Sequence, residues 1–166
     1  MPQANPQNPR QLVKVMQIIT GAILTGPVIF LAIVLLTSGD QPPQDPSLAY
    51  IAAAFAAVMI FTHFLIRLRP NPSALPESKR GGNFDPFSDE VFAAIAPTYQ
   101  TELIIKIALL EGAAFFNIIA YQWERQWWSL AISALLLALI AIQFPTVSRI
   151  QERIKNQTRY WFDESA

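Results

Sequence analysis

The sequence contains no cysteine and only one histidine among its 166 residues. The missing thiols exclude a disulfide framework, thiolate catalysis and iron–sulfur clusters held by cysteine. A single histidine without cysteine is also far from the usual ligand set of zinc, so we expect neither a metal nor another cofactor. Charged residues make up only 14% of the chain and balance to a net charge of zero. We therefore expect no nucleic-acid partner.

Motifs that carry catalysis are missing as well. The sequence has no G-x-S-x-G, no H-E-x-x-H and no phosphate-binding glycine loop. His63 has no acid or nucleophile at a diagnostic spacing. The sequence therefore predicts a protein that is not an enzyme.

Apolar sequence is abundant, with 52% hydrophobic residues and a mean hydropathy of +0.31. A helix needs about 20 apolar residues to cross a hydrocarbon core of roughly 30 Å. Short turns follow the first and third apolar windows, so the helices are expected to pair as hairpins. The sequence predicts an all-α membrane protein, a four-transmembrane-helix bundle of two tandem hairpins. Its predicted spans are 15–37, 47–67, 101–121 and 128–144.

Proline and charge mark the boundaries of the remaining segments. The first residues are polar and proline-rich, which is typical of a disordered tail. The residues after Pro145 mix cations with apolar residues at helical spacing. The predicted segments are a tail at 1–12, a first hairpin at 13–69, a loop at 70–100, a second hairpin at 101–146 and a basic amphipathic tail at 147–166.

The second half of the loop predicts a short helix near 88–96. Ser88 is a suitable N-cap, and Val91 and Ile95 contribute to an apolar face. We expect this interfacial helix to lie on the inner membrane surface and to end at Pro97, with a docking site for a partner as the less favoured role.

Cations flank the predicted spans unequally. They gather before the first span, after the second and after the fourth, while the two short turns contain only Arg125. By the positive-inside rule, both termini and the loop are cytoplasmic and the turns face outward, in a multi-pass protein of the cell membrane, expected to be a bacterial inner membrane. The tail is expected to contact anionic lipid headgroups through Arg149, Arg153, Lys155 and Arg159.

One carboxylate interrupts the third predicted span. Glu111 lies near its middle, where a charged carboxylate costs about 2.5–3.5 kcal/mol on insertion scales, so it is expected to face other helices. An alignment of the sequences of the two hairpins matches Thr25 with Glu111. Two roles stay open for Glu111. It forms an interhelical hydrogen bond, with Thr25 as a candidate partner, or it handles protons, with Lys106 and His63 on the inner side of the route.

Ala108 and Gly112 form a pair of small residues one turn apart, which predicts close packing inside the bundle, with a dimer surface as the less favoured use. Two function classes follow from these patterns. The favoured one is a non-catalytic structural or assembly subunit that contacts the lipid bilayer and either a second copy of the chain or another membrane protein. The alternative is a proton-coupled transport or channel subunit that uses Glu111. It is less favoured because transporters normally have more than one intramembrane site.

Overall fold

A computed structural model of the chain describes residues 9–39, 42–66, 89–150 and 152. All regular structure within these ranges is helical, which confirms the predicted all-α class. The helices are α1, Pro9–Thr37; α2, Ser47–Leu65; α3, Asp89–Glu124; and α4, Trp127–Ile142.

Three helices contain segments that are long and apolar enough to cross a membrane. α4 is also apolar but has 16 residues, about 24 Å at 1.5 Å per residue. This is less than the roughly 30 Å of a hydrocarbon core. The chain is thus a helical protein of membrane type. Its segments of spanning length are Val13–Thr37, Ser47–Leu65 and Ala96–Glu124.

Pro97 lies inside α3 rather than at its end. The prediction that Pro97 ends a separate surface helix is therefore wrong. A proline in a helix removes one backbone hydrogen bond, but the neighbouring turns of a long helix can hold it together. The hydroxyl of Thr101 donates to the Pro97 carbonyl at 3.0 Å in the following turn. The predicted apolar face at Val91 and Ile95 lies outside the described side chains.

α1 begins at Pro9, before the predicted boundary at residue 13. Proline suits the first position of a helix, because the N–H group there has no partner within the helix. The prediction of a disordered tail is therefore wrong for residues 9–12, and residues 1–8 lie outside the described part of the chain.

The chain forms two compact units that differ in charge. The charged unit comprises Met1–Ile18, Leu68–Leu103 and Pro145–Ala166, and the apolar unit comprises Ile19–Arg67 and Ile104–Phe144. Within the apolar unit, only Lys106 and Glu111 are charged residues that lie in a helix away from its ends. The division therefore follows charge, although two segments of spanning length, Val13–Thr37 and Ala96–Glu124, have residues in both units.

The described part of the charged unit has buried apolar residues of its own. Ile150, in the C-terminal segment, is fully buried. The amide of Gln17 donates to the Pro145 carbonyl at 3.0 Å. The buried apolar residues of this unit are Val13, Met16, Ala96, Leu103 and Ile150.

In the apolar unit, α3 packs against the three other helices. The ring of Phe115 lies 5.5 Å from that of Phe30 on α1, and the ring of Phe116 lies 5.7 Å from that of Phe55 on α2. α4 reaches α3 through a hydrogen bond donated by Ser133. The apolar span of α3 is 44% buried, compared with 17% for α1 and 22% for α2, so α3 is the central helix.

Candidate functional site

Glu124 joins α3 to the start of α2. Its carboxylate accepts hydrogen bonds from the backbone N–H groups of Leu48, at 2.6 Å, and Ala49, at 2.7 Å. Pro46 occupies the N-cap position of α2 and provides no side-chain cap. The carboxylate of another helix therefore satisfies N–H groups that have no partner within α2, at the positive end of the helix dipole. We call this end of the apolar unit, where α1 and α3 end and α2 and α4 begin, the turn end.

Asn117 joins the same two helices nearer the middle of α3. Its side chain is fully buried, and its amide N–H₂ donates to the Ala52 carbonyl of α2 at 3.1 Å and to the Ala113 carbonyl at 2.9 Å. Two turns of backbone on different helices therefore share one side-chain donor. Interhelical hydrogen bonds of this kind contribute about 0.6 kcal/mol on average in membrane proteins, with a maximum near 1.7 kcal/mol.

His63 makes the third polar contact between α2 and α3. It is buried, and its ring Nδ1 lies 3.3 Å from the backbone carbonyl of Lys106. The structure therefore brings these two predicted residues together, through the imidazole and the main chain. The contact is at the long end of hydrogen-bond geometry and forms when Nδ1 carries the proton. α2 is thus joined to α3 by polar contacts along most of its length.

Glu111 faces α1, as expected for a carboxylate that avoids lipid. Its Oε1 lies 3.7 Å from the point that a Cβ on Gly26 would occupy, and Phe115 lies 3.5 Å from the same point. The hydroxyl of Thr25 instead donates to the Gly21 carbonyl of its own helix at 2.7 Å. The structure does not pair Thr25 with Glu111, and the Glu111 carboxyl makes no hydrogen bond to any residue in the described ranges.

The small residues after and before Glu111 lie on an open surface. Ala108 and Gly112 are exposed, and no atom lies within 4 Å of the point that a Cβ on Gly112 would occupy. The prediction of close packing at this pair inside the bundle is therefore wrong. Gly26, which the alignment of the hairpins matches with Gly112, is the one that packs closely. We define the open face of α3 by its exposed residues Ile105, Ala108, Gly112 and Ile119.

Arg125 connects the turn after α3 to the end of α1. One terminal nitrogen of its guanidinium donates to the Ser38 hydroxyl, and the guanidinium carbon lies 5.7 Å from the centre of the Tyr121 ring. The backbone of Arg125 has φ of 56°, a left-handed conformation that side chains other than glycine rarely adopt. The turn therefore holds Arg125 in a backbone conformation of some energetic cost.

The predicted membrane-surface cations are only partly described. Arg149 is exposed, while Arg153, Lys155 and Arg159 lie outside the described residues. Within the described ranges, no group of three or more histidine, cysteine, aspartate or glutamate residues is arranged to hold a metal ion.

Sequence reasoning missed Asn117 and the capping role of Glu124. A lone amide within the run AAFFNIIAY is a usable signal, because a buried polar group in an apolar helix needs a partner. Glu124 gives no such signal, since its partners Leu48 and Ala49 are remote in sequence.

Comparison with protein-family models, curated proteins and solved structures gives no match.

Proposed function

We propose that the protein is a non-catalytic integral membrane subunit that binds another transmembrane helix on the open face of α3. The helix belongs to a partner membrane protein or to a second copy of the chain. One observation carries this proposal: the most buried helix of the apolar unit leaves Ala108 and Gly112 uncovered. Small residues let two helix backbones approach closely, which is the main source of helix association in lipid.

The open face lies between two neighbouring helices. At about 100° per residue, Glu111 lies about 60° to one side of Ala108 around α3, and Phe116 lies about 80° to the other. Glu111 approaches Gly26 of α1, while Phe116 packs on Phe55 of α2. The open face is therefore the floor of a groove whose walls are α1 and α2, a shape that accepts a helix.

Glu111 gives this groove a polar wall. It is half-buried, and its carboxyl makes no hydrogen bond to a described residue. A polar group at membrane depth is costly unless it finds a partner. A bound helix with a hydroxyl, amide or backbone carbonyl at this depth would supply that partner, so Glu111 favours a specific occupant over lipid chains.

For the placement in the membrane, we propose four spans with α4 as a short fourth one. The turn end faces outward, both termini and the loop are cytoplasmic, and the first turns of α3 lie at the inner surface of a bacterial inner membrane. Exposed aromatic residues at the turn end support this, because Tyr50, Trp123 and Trp127 suit the interface between lipid and water. The placement of cations in the sequence supports the same orientation.

Photo-crosslinking from the open face tests the proposed function. A photoreactive residue at Ala108 should yield discrete protein adducts in native membranes. If purified protein in liposomes also gives an adduct, the bound helix belongs to a second copy of the chain. The matched control is Leu135, an exposed residue on α4, which should react with lipid only. Gly112→Leu should remove the adduct by filling the groove. Lipid adducts alone at both positions would refute the proposal.

A second function is supported by the chemistry of Glu111. Asn117, His63 and Glu124 make the polar contacts between α2 and α3, and Glu111 takes part in none of them. A carboxyl that joins no helices is available to bind and release protons. Proton-coupled transport with Glu111 as the carrier is therefore the alternative, with His63 and Lys106 near each other on the inner side.

Proton flux in proteoliposomes distinguishes the two functions. Flux in the wild type that is lost in an equally stable Glu111→Gln variant would establish proton transport. The matched control is Glu102→Gln, a second carboxyl of α3, which should retain the flux. The subunit proposal predicts no flux in any of these proteins.

A further inference from the structure

The part of α1 that follows Pro27 is the least enclosed helical segment of the apolar unit. Val34 is buried, and the aromatic ring of Phe30 packs on Phe115. Most other large residues in this half are open, and Leu36 is 87% exposed. We call residues 28–37 the turn-end half of α1. Its exposed large residues are Val28, Ile29, Ile33, Leu35 and Leu36.

A weak point lies at the start of this half. Pro27 has no N–H group to donate to the carbonyl four residues earlier, so the helix lacks one hydrogen bond there. The hydroxyl of Thr25 donates to the Gly21 carbonyl, an arrangement that favours bending. Gly26 adds backbone freedom between these two residues. Three neighbouring features therefore lower the cost of bending α1 at one place.

The carboxyl of Glu111 lies directly beneath this weak point. Gly26 approaches Glu111 and Phe115, and Phe30 covers Phe115 one turn further toward the turn end. Movement of the turn-end half away from α3 would separate Phe30 from Phe115. It would also open a path from the turn end to Glu111.

A single polar contact holds the far end of this half. Arg125 donates to the Ser38 hydroxyl, whereas the hydroxyl of Thr37 donates to the Ile33 carbonyl within α1. Among the described residues, the bond between Arg125 and Ser38 is the one side-chain hydrogen bond that joins the end of α1 to another helix or turn. Arg125 makes this contact from a left-handed backbone conformation in the turn after α3.

We propose that the turn-end half of α1 is a hinged lid over Glu111, with its hinge at Gly26 and Pro27 and its latch between Ser38 and Arg125. Opening the lid exposes the Glu111 carboxyl to the turn end. The lid does not depend on whether Glu111 meets a partner helix or carries protons, since it concerns access to the carboxyl.

A water-soluble carbodiimide added at the turn end tests this access, because it modifies carboxyl groups that water reaches and does not enter through a lipid-filled groove. Modification of Glu111 in liposomes is followed by mass spectrometry of its peptide, and Glu111→Gln shows that the signal belongs to this residue. Ser38→Ala should speed modification by about threefold to tenfold, the effect of losing one hydrogen bond. Thr37→Ala, the matched control, should leave the rate unchanged. Equal rates in wild type and Ser38→Ala would overturn the latch.

A reversible bridge tests the lid without relying on a weakened variant. The chain has no cysteine of its own, so Ser38→Cys and Arg125→Cys form one defined pair, closed with a short thiol crosslinker. Closing the bridge should slow the modification of Glu111 about tenfold, and reduction should restore the rate. The control pair Tyr50→Cys and Trp128→Cys bridges α2 to α4 at the same end and should change nothing. No slowing by the first bridge would overturn the lid.

Discussion

α1 and α2 both pack against α3, but they are held in different ways. α2 is joined to α3 by polar contacts at three levels, made by Glu124, Asn117 and His63. In the apolar unit, the described contacts of α1 with α3 are the ring of Phe30 and the close approach at Gly26. In lipid, apolar packing favours a neighbouring helix over lipid chains only slightly, whereas a polar contact favours the helix clearly. We therefore infer that α2 and α3 form a fixed pair and that α1 is the helix free to adjust.

The largest expected effect comes from removing the cap on α2. Glu124→Ala leaves the N–H groups of Leu48 and Ala49 without their partner, and should lower the free energy of unfolding in lipid bicelles by about 2 kcal/mol. Glu124→Gln keeps one acceptor oxygen and should lose about half as much. Asp45→Asn, an exposed carboxylate at the same end, is the control and should have little effect. A fully stable Glu124→Ala would remove the main support for the fixed pair.

The next effect concerns the buried amide. Leucine is similar in size to asparagine, but Asn117→Leu removes the hydrogen bond to the Ala52 carbonyl. The free energy of unfolding should fall by about 0.6–1.7 kcal/mol. The measurement is again unfolding in bicelles. If Asn117→Leu were more stable than the wild type, packing rather than polar contact would hold α2 to α3.

A smaller effect separates the two aromatic pairs. Phe30→Leu weakens the contact with Phe115, and Phe55→Leu weakens the contact with Phe116, each by about 0.5–1.5 kcal/mol. Only Phe30→Leu should loosen a whole helix, because the polar contacts keep α2 in place. Spin labels on α1 and α2 would report this, and equal loosening of both helices would contradict the comparison.

The smallest effect is expected at Thr25. Its hydroxyl is exposed and bonds within its own helix, so Thr25→Ala should change stability by less than about 0.5 kcal/mol. Proton flux, if present, should persist in this variant. A large loss in either measurement would restore Thr25 as a partner of Glu111.

The helical class and the polar interruption at Glu111 were accessible from the sequence because both depend on hydropathy along a single segment. The same reasoning expected Glu111 to face another helix, and its carboxyl approaches Gly26 of α1. The residues predicted to surround Glu111 were wrong. The hydroxyl of Thr25 donates within its own helix, and Gly26, rather than Gly112, contacts the neighbouring helix. Contacts such as Glu124 with α2 join residues that are remote in the chain, and no local pattern encodes them.

Pro97 is another position where a local sequence preference gave the wrong prediction. Pro97 was expected to stop a helix, and α3 continues through it. The neighbouring turns of a long helix outweigh the local preference of one proline, and this outcome depends on the residues on both sides of it.

Backbone hydrogen exchange of the protein in lipid nanodiscs is the most direct test of the difference between α1 and α2. Residues 28–37 and 50–62 are similarly apolar and are proposed to lie in the same membrane. Limited access to water therefore slows hydrogen exchange in both segments, and their rates can be compared. We predict faster exchange in 28–37, and a further increase there in Ser38→Ala with 50–62 unchanged. Equal protection of the two segments, or faster exchange in α2, would show that α1 is held as firmly as α2.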